Sequence, residues 1–546
     1  MAFLVPSCGR EATQLIVDVC TDFAVPGELD QLQIDVTYAS GRMSSTTPNL
    51  RTGGRVTFGI LPGTEAFDNV SISVEGRLRG VPIVRGRVRS SFVAGERRSI
   101  HVDLVRRCVG VVCGSGMTCR SAGCRPESAM ALPVPRGEDP GTAPACGVTR
   151  ADCNNNPADG DEADLATSRT NCGSCGHACV GTSACVRGVC DNETIVDVSL
   201  GAQHGCARRR SGDAVCWGAN QLGQLANGLS GAGVVEAIPI ALMDVADARG
   251  LALGLGQTCV LRVTGSVSCV GDNGFGQLGD GTMTSRTSFA PALVAGAVDQ
   301  IAAGGTHTCA MAARGAVSCW GRNIEGQVGD GTNTSRFRPA PVLGITAAVA
   351  IGAGASHSCA VRAGGTVVCW GLNVAAQLGD GSRVNRNAPV VVVGLDNATS
   401  LALGGEHSCA VRTDGTVACW GRNDRGQLGT GTTVDQQIPT QVADLNDVAQ
   451  VAAGRAFTCA RTNGGDVYCW GANDFGQLGD GTNAAHTRPA AVIGLVGATG
   501  LDAGDDHACA IRGSGDLSCW GRNESAQLGN GSMTNRSIPG PVVRGP

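Results

Sequence analysis

The sequence predicts an all-β protein: a seven-bladed β-propeller preceded by a small β-sandwich and a disulfide-rich linker module. Three observations lead to this prediction. A motif of about 50 residues recurs seven times, all six tryptophans of the 546-residue chain occupy one position of that motif, and pairs of cysteines recur at a constant spacing of 10. Internal repeats of roughly 20–50 residues are typical of solenoids and propellers. A solenoid is therefore the alternative architecture.

The repeats fill residues 194–546, and each copy contains four short segments with strand character. In the fifth copy the segments are 400–404, 407–412, 416–421 and 439–442. Four antiparallel strands per repeat, repeated seven times, predict a propeller. The tryptophan lies near the end of the third segment in every copy except the second, which has Val270 there. The six residues are Trp217, Trp320, Trp370, Trp420, Trp470 and Trp520.

Fourteen cysteines form seven pairs, which we predict to be disulfide bonds within blades. Cys409 and Cys419 are symmetric about a hairpin turn, so they face each other across it. Antiparallel neighbours at a non-hydrogen-bonded pair lie about 4.5 Å apart at Cα, within disulfide range. A zinc site with His407 is the alternative, but two copies have Gln257 or Phe457 instead of histidine. The pairs are Cys206–Cys216, Cys259–Cys269, Cys309–Cys319, Cys359–Cys369, Cys409–Cys419, Cys459–Cys469 and Cys509–Cys519.

The repeats resemble the regulator of chromosome condensation repeat. The segments that carry the resemblance are His407-Ser408-Cys409-Ala410-Val411 and Trp420-Gly421-Arg422-Asn423, and it covers about two-thirds of the chain. The resemblance implies a seven-bladed propeller with a protein-binding surface rather than a shared reaction. The family's eukaryotic founder binds chromatin and catalyses nucleotide exchange on a small nuclear GTPase, and a bacterial relative is a secreted inhibitor of β-lactamase. The paired cysteines are a departure from the founder's pattern.

The number of cysteines, 27, favours an oxidising compartment, because disulfide bonds persist outside the cytosol. We expect the protein at the bacterial cell envelope, on its outer surface or in the periplasm, or outside the cell. Within residues 1–11, Val5-Pro6-Ser7-Cys8 resembles the end of a lipoprotein signal, which makes Cys8 a candidate site for a lipid anchor. An ordinary N-terminal cysteine is the alternative. The chain has no run of 18 apolar residues, so we expect no transmembrane segment.

The N-terminal third has a different composition. Residues 12–107 alternate apolar and polar positions in short runs, which predicts a small β-sandwich. Three segments follow it: a Cys-rich cluster at 108–125, a Pro-rich linker at 126–145, and a Cys-rich disulfide module at 146–190. The last has too few apolar side chains to form a core without disulfide bonds. Cys172-x-x-Cys175 in that module leaves a redox or zinc motif as the alternative.

Composition also narrows the function. The net charge of -5 argues against a nucleic-acid partner. The chain has no lysine, which excludes Schiff-base chemistry and a P-loop lysine. We expect no enzymatic activity, no cofactor and no bound metal. The expected function is a non-enzymatic, protein-binding propeller with an unknown protein partner. The alternatives are a guanine-nucleotide exchange-type regulator, by analogy with the family, and a structural or adhesive surface protein.

Two sets of residues are candidates for partner binding. The first set is apolar and lies where the copies differ most, just after the Gly-x-Asn step: Phe275, Ile324, Val374 and Phe475. These side chains either stand exposed on one rim or fold against the next blade. The second set is basic and lies 16 residues after the tryptophan position: Arg286, Arg336, Arg386 and Arg536. These arginines either form a ring of charge that attracts an acidic partner or pair with carboxylates of their own blades.

Overall fold

The computed structural model describes residues 193–543 throughout, and within residues 14–190 it describes the strands alone. The chain divides into two compact units, Met1–Cys190 and Asp191–Pro546. All regular elements of the described residues are β-strands, apart from a single 3₁₀ position at Glu193. None of the described residues forms a helix that could cross a membrane. The segment 1–11 and Cys8, the candidate lipidation site, lie outside the described residues.

The described strands of the N-terminal unit form two four-stranded sheets and three two-stranded sheets. Its strands are β1 (Gln14–Thr21), β2 (Gln31–Tyr38), β3 (Met43–Thr46), β4 (Arg55–Ile60), β5 (Asn69–Leu78), β6 (Val81–Ser91), β7 (Arg97–Leu104), β8 (Met117–Arg120), β9 (Gly123–Pro126), β10 (Leu132–Pro133), β11 (Arg150–Ala151), β12 (Ala163–Asp164), β13 (Cys185–Val186) and β14 (Val189–Cys190). One sheet has the order β10-β7-β1-β4, in which β1 and β7 are parallel, and the other has the order β3-β2-β5-β6.

Alternation along the strands gives the second sheet one buried face. Leu32, Ile34 and Val36 of β2 and Ile72 and Val74 of β5 are buried, while the residues between them are only partly covered. Alternate residues of a strand point to opposite faces, so this pattern is that of a sheet with one face in a core. The short strand β10 falls within the segment predicted to be a linker, where it pairs with β7.

The second unit contains seven four-stranded antiparallel sheets, which confirms the predicted seven-bladed propeller. From the first blade to the seventh, the strands are β15 (Ile195–Leu200), β16 (His204–Arg209), β17 (Ala214–Ala219), β18 (Val235–Ala241); β19 (Ala248–Leu253), β20 (Gln257–Arg262), β21 (Val267–Gly271), β22 (Arg286–Pro291); β23 (Val298–Ala303), β24 (His307–Ala312), β25 (Val317–Gly321), β26 (Arg336–Pro341); β27 (Ala348–Ala353), β28 (His357–Arg362), β29 (Val367–Gly371), β30 (Arg386–Val391); β31 (Ala398–Leu403), β32 (His407–Arg412), β33 (Val417–Gly421), β34 (Gln436–Gln441); β35 (Val448–Ala453), β36 (Phe457–Thr462), β37 (Val467–Gly471), β38 (His486–Ala491); and β39 (Ala498–Ala503), β40 (His507–Arg512), β41 (Leu517–Gly521), β42 (Arg536–Pro541).

The first strand of each blade is the innermost, and consecutive inner strands contact one another around the ring. The ring closes where β15 of the first blade contacts β39 of the seventh. Every blade takes all four of its strands from one repeat, so no strand is exchanged at the closure. The core consists of separate clusters, each built from the facing sides of two adjacent blades. The fold is therefore held together by blade-to-blade contacts rather than by one central core.

The position after the tryptophan (Val270 in the second blade) requires glycine in every third strand. Gly421 follows Trp420 with a φ of 101°, a conformation that side-chain-bearing residues rarely adopt. A Cβ atom at Gly421 would also lie 2.7 Å from the carbonyl oxygen of Glu406. This close approach allows the loop before β32 to pair with the end of β33, where the Arg422 amide donates to the Glu406 carbonyl over 2.9 Å.

All seven predicted cysteine pairs of the propeller form disulfide bonds, each between the second and third strands of one blade. Cys409 and Cys419 are register partners, with Cα atoms 4.1 Å apart, and both are buried. The same arrangement recurs in every blade, including the second, which lacks the tryptophan. Spacing about a hairpin turn was thus sufficient to predict these bonds.

We expect the disulfide bonds to stabilise each blade by restricting its unfolded chain. Replacing Cys409 and Cys419 together by Ala should lower the free energy of unfolding by about 2–3 kcal/mol, because the closed loop is short. Denaturant unfolding of the variant and of the parent measures the difference. Peptide mapping without reduction should recover the Cys409–Cys419 link and its six equivalents. Free thiols in protein from its native compartment would contradict both the pairing and the expectation of export.

Candidate functional site

One edge of the propeller, which we call the loop face, carries the loops that join first to second strands and third to fourth strands. In the fifth blade the second of these loops is held by two buried amides. Asn423 accepts a hydrogen bond from the Leu428 amide over 2.9 Å and donates to the Val434 carbonyl over 3.0 Å. The Gln427 side chain accepts from the Arg425 amide over 2.9 Å. The shape of the loop is therefore fixed from beneath, and its outer residues are free to vary between blades.

Three of the four predicted apolar rim residues are exposed on the loop face. Ile324 is 57% exposed, Val374 55% and Phe275 39%, whereas Phe475 is half-buried. The two aromatic rings also touch the next blade, since the guanidinium of Arg322 lies 5.7 Å from the centroid of Phe275 and that of Arg522 lies 4.7 Å from the centroid of Phe475. The two predicted alternatives, exposure on the rim and packing against the next blade, therefore both apply in part. Each ring contacts an arginine of the next blade and is still partly exposed to solvent.

Two leucines that the sequence analysis did not nominate extend this apolar surface. Leu222 is 43% exposed and Leu255 48% exposed. Leu222 lies over the loop of the second blade, because a Cβ atom on Gly256 would be 2.5 Å from its Cδ1. We call Leu222, Leu255, Phe275, Ile324 and Val374 the apolar arc; it spans the first four blades. The signal for Leu255 was available in the sequence, since the equivalent loop positions of most other copies are small or charged.

The remaining three blades present charges on the same face, which we call the charged arc. Its arginines are paired with carboxylates at these distances: Arg422–Glu406 2.6 Å, Arg422–Asp424 2.8 Å, Arg522–Glu524 2.5 Å, with a further pair between Arg425 and Asp474. Burial, together with the neighbouring charge of Asp506, raises the pKa of Asp505 to about 6. Ion pairs are therefore most frequent in the last three blades of the loop face, although Phe475, Val434 and Met533 add apolar surface there.

The structure brings the predicted basic residues to carboxylates of their own blades. The pairs are Arg286–Asp280 at 2.7 Å, Arg336–Asp330 at 2.5 Å and Arg386–Asp380 at 3.0 Å, with His486–Asp480 at 2.7 Å in the sixth blade. Arg536 occupies the same repeat position, but the seventh blade has Asn530 where these blades have the aspartate, and burial lowers the pKa of Arg536. Burial acts to raise the pKa of Asp280, but hydrogen bonds from Thr282 and Arg286 outweigh it and lower the pKa. The geometry favours the local alternative over a ring of unpaired charge.

The loop face is kept in place by a contact that recurs between blades. The carbonyl oxygen of Gln377 in the fourth blade accepts two hydrogen bonds from the fifth blade: one from Trp420 Nε1 over 2.9 Å and one from the Ser408 hydroxyl over 2.8 Å. The buried His357 of the fourth blade lies 2.8 Å from the same hydroxyl through Nε2. Since the hydroxyl donates to the carbonyl, the imidazole must donate through Nε2–H, which fixes its tautomer.

Similar imidazole–hydroxyl contacts join other blades, so the histidines have a structural role. The pairs are His204–Thr258, His307–Ser358, His357–Ser408 and His407–Thr458. Nδ1 of each of these rings is buried without a hydrogen-bond partner among the described residues. Burial lowers the pKa of His357 to about 3 and that of His407 to about 4. These imidazoles are neutral at physiological pH and do not carry out acid–base chemistry at the surface.

The repeats of this chain match known protein families and structures. Two family models, both described as regulator of chromosome condensation (RCC1) repeat, match it, and together they cover more than half of its length. The first matches 264–311, 314–361, 364–411, 414–461 and 464–511, and the second matches 195–224, 298–327, 348–377, 398–427, 448–477 and 499–527. No curated protein matches the chain.

Solved structures share the propeller fold at low sequence identity. Prp20p from Saccharomyces cerevisiae, in work that also concerned its binding to Gsp1p and histones, is 22% identical over 65% of this chain and 88% of its own, with a TM-score of 0.56. The yeast RCC1 (Prp20) bound to Kap60 is 20% identical over 65% of this chain and 86% of its own, with a TM-score of 0.54. Human WBSCR16 is 22% identical over 59% of this chain and 88% of its own, also with a TM-score of 0.54.

The indole of Trp420 should contribute chiefly through packing between blades. Trp420→Ala should lower the free energy of unfolding by about 3–5 kcal/mol, because it truncates a fully buried side chain. Trp420→Phe, the matched control, keeps most of the packing and should cost about 0.5–1.5 kcal/mol for the lost hydrogen bond. Thermal and denaturant unfolding provide the measurement. Equal losses in the two variants would show that the hydrogen bond, not the packing, dominates.

The buried histidines should make the propeller sensitive to acid. Burial lowers the native pKa of His357 to about 3, while the unfolded chain binds a proton near pH 6.5, so protonation favours the unfolded state. Stability should therefore fall as the pH drops from about 7 towards 3, by up to about 1.4 kcal/mol per pH unit for each such histidine. His357→Gln, which copies Gln257 of the second blade, should reduce that slope. An unchanged dependence on pH, measured by denaturant unfolding between pH 4 and pH 7, would refute the assignment.

Proposed function

The chain belongs to the regulator of chromosome condensation (RCC1) repeat family, and on this premise we propose that its propeller is a non-enzymatic protein-binding module that uses the loop face. The observation that carries the proposal is the apolar arc. Apolar groups are exposed in four successive blades at the positions where the repeats differ most. A residue needed only for the fold would recur in every copy, as the tryptophan nearly does, whereas a residue selected for one partner differs from blade to blade.

The apolar arc has the chemistry of an interface centre. Exposed large apolar side chains that lie together on a soluble protein mark sites of interaction, and aromatic residues often supply most of the binding energy. Phe275 is suited to this role because the contact with Arg322 orients its ring while leaving part of it open. The amides beneath the loops hold these side chains in place before binding, so little conformational entropy is lost when a partner docks.

The charged arc supplies specificity. Its arginines are engaged by neighbouring carboxylates, and the pair Asp505–Asp506 adds negative charge next to the first blade around the ring. A partner with an apolar patch flanked by basic side chains would complement both arcs. Such charge complementarity contributes to the association rate and to discrimination between partners more than to affinity.

The structural relatives support a protein-binding role, and the disulfide bonds support a location outside the cytosol. Yeast Prp20p, which shares the fold, was studied for its binding to Gsp1p and histones and was solved in complex with Kap60. The seven disulfide bonds of the propeller suggest an oxidising, extracytoplasmic compartment. We place the protein at the bacterial cell envelope or outside the cell, with Cys8 as the candidate lipid anchor. The partner is accordingly sought among surface or secreted proteins.

The test compares two double variants of the full chain in proximity cross-linking on intact source cells, followed by mass spectrometry. Phe275→Ser with Ile324→Ser removes two members of the apolar arc. Met243→Ser with Val263→Ser, the matched control, removes two residues of similar character that are exposed on the opposite face. The first variant should lose about tenfold or more of a stoichiometric partner, and the control should retain it. Retention by the first variant, or loss by the control alone, would contradict the proposal.

A further inference from the structure

The contact between the seventh and first blades, which we call the closing seam, is the one at which the polypeptide does not cross between blades. At the other six seams the chain runs from the outer strand of one blade to the inner strand of the next. No strand of the first blade pairs within the seventh, or the reverse, so the closing seam is held by non-covalent contacts alone. Those contacts include Trp217 Nε1 to the Gln527 carbonyl over 2.8 Å and the Gly531 amide to the Ala237 carbonyl over 2.8 Å.

The closing seam lacks the imidazole–hydroxyl contact and leaves a buried imidazole without partners. His507 is fully buried, and neither of its ring nitrogens has a hydrogen-bond partner among the described residues. The residue of the next blade that should carry the hydroxyl is Gly205. The preceding seam avoids this mismatch, because Phe457 and Ala508 are both apolar there and lie in one buried cluster. Burial of a polar group without a hydrogen bond disfavours the closed state, since water would satisfy the group on opening.

A partly buried carboxyl group lies at the same seam. Asp502 of β39 stands where the other blades have alanine, glycine or serine, and its Oδ2 accepts a hydrogen bond from the Leu200 amide of β15 over 2.7 Å. Burial raises the pKa of Asp502 to about 7, with a smaller contribution from the charge of Asp197. The hydrogen bond joins the two inner strands, but the ionised carboxylate would be better solvated once they separate.

We propose that the propeller opens at the closing seam. The absence of a chain crossing, the unsatisfied imidazole and the desolvated carboxyl group all lie there. Opening separates the first blade from the seventh and therefore parts the two arcs at one of their two borders, while the border between the fourth and fifth blades stays connected by the chain. If the loop face binds a partner as proposed above, a partner that contacts both arcs would bind the closed ring and hold it shut.

One backbone hydrogen bond repeated at every seam provides an internal comparison. The donor amides are those of Gly228, Gly281, Gly331, Gly381, Gly431, Gly481 and Gly531, each of which bonds to a carbonyl of the outer strand of the neighbouring blade. In the free full-length protein, hydrogen exchange resolved to single residues should show Gly531 exchanging about tenfold or more faster than Gly381 and Gly431, because local opening exposes it. This measurement needs no partner, so its failure is separate from failure of the proposed function. Protection of Gly531 within roughly threefold of the others would overturn the proposal.

A pair of variants tests the cause. His507→Phe copies Phe457 of the sixth blade and removes the unsatisfied imidazole, so it should slow the exchange of Gly531 by roughly tenfold. His407→Phe is the matched control at the seam between the fifth and sixth blades; it removes a satisfied imidazole from Thr458 and should speed the exchange of Gly431. Slower exchange of Gly531 in one variant and faster exchange of Gly431 in the other would together show that the unsatisfied imidazole of His507 weakens the closing seam. Faster exchange of Gly531 in His507→Phe, with the disulfide bonds intact, would overturn the assigned role of His507.

Discussion

The backbone carbonyl of a glutamine, which accepts a hydrogen bond from a tryptophan of the next blade at six of the seven seams, is the interaction on which the propeller depends. Gln377 O accepts from both the indole of Trp420 and the hydroxyl of Ser408, so one acceptor positions two strands of the neighbouring blade. The glutamine side chain is occupied within its own loop, where Gln377 Oε1 accepts from the Ala375 amide. The residue that fixes the loop is thus the residue that fixes the neighbouring blade, and the position of each loop is transmitted around the ring.

This arrangement explains how the loop face can vary without cost to the fold. Its loops are shaped by buried amides and backbone bonds, so the loop conformation does not depend on which side chains occupy the two tip positions. Each of the first four blades has an apolar residue at its tip, and each of the last three has at least one charged residue there, with Phe475 beside Asp474 in the sixth. The asymmetric surface therefore rests on a nearly symmetric frame, which is a property expected of a binding module built from repeats.

Periodicity and spacing predicted the fold and the disulfide bonds because both depend on features that every copy shares. Cys409 and Cys419 could be paired from their symmetry about a turn alone. The surface was harder to predict, because it depends on where individual side chains point. Arg336 was a candidate for a charged ring, but it lies 2.5 Å from Asp330 six residues earlier, and such a pairing depends on rotamers. Leu255 carries no periodic signal and is distinguished only when its loop is compared with the small or charged residues at the same position of the other copies.

The departures from the repeat pattern that no neighbouring residue compensates lie where the first and last blades meet. Where consecutive blades meet, a histidine of one blade contacts a hydroxyl of the next, as His407 contacts Thr458. Where Phe457 replaces the histidine, Ala508 replaces the hydroxyl. The first and last blades meet only through closure of the chain on itself. There the match fails: Gly205 offers nothing to His507, and Asp502 occurs in place of the usual small residue. Because each of the other matches joins blades that are also covalently connected, the mismatch falls at the one seam where it can influence whether the ring is open or closed.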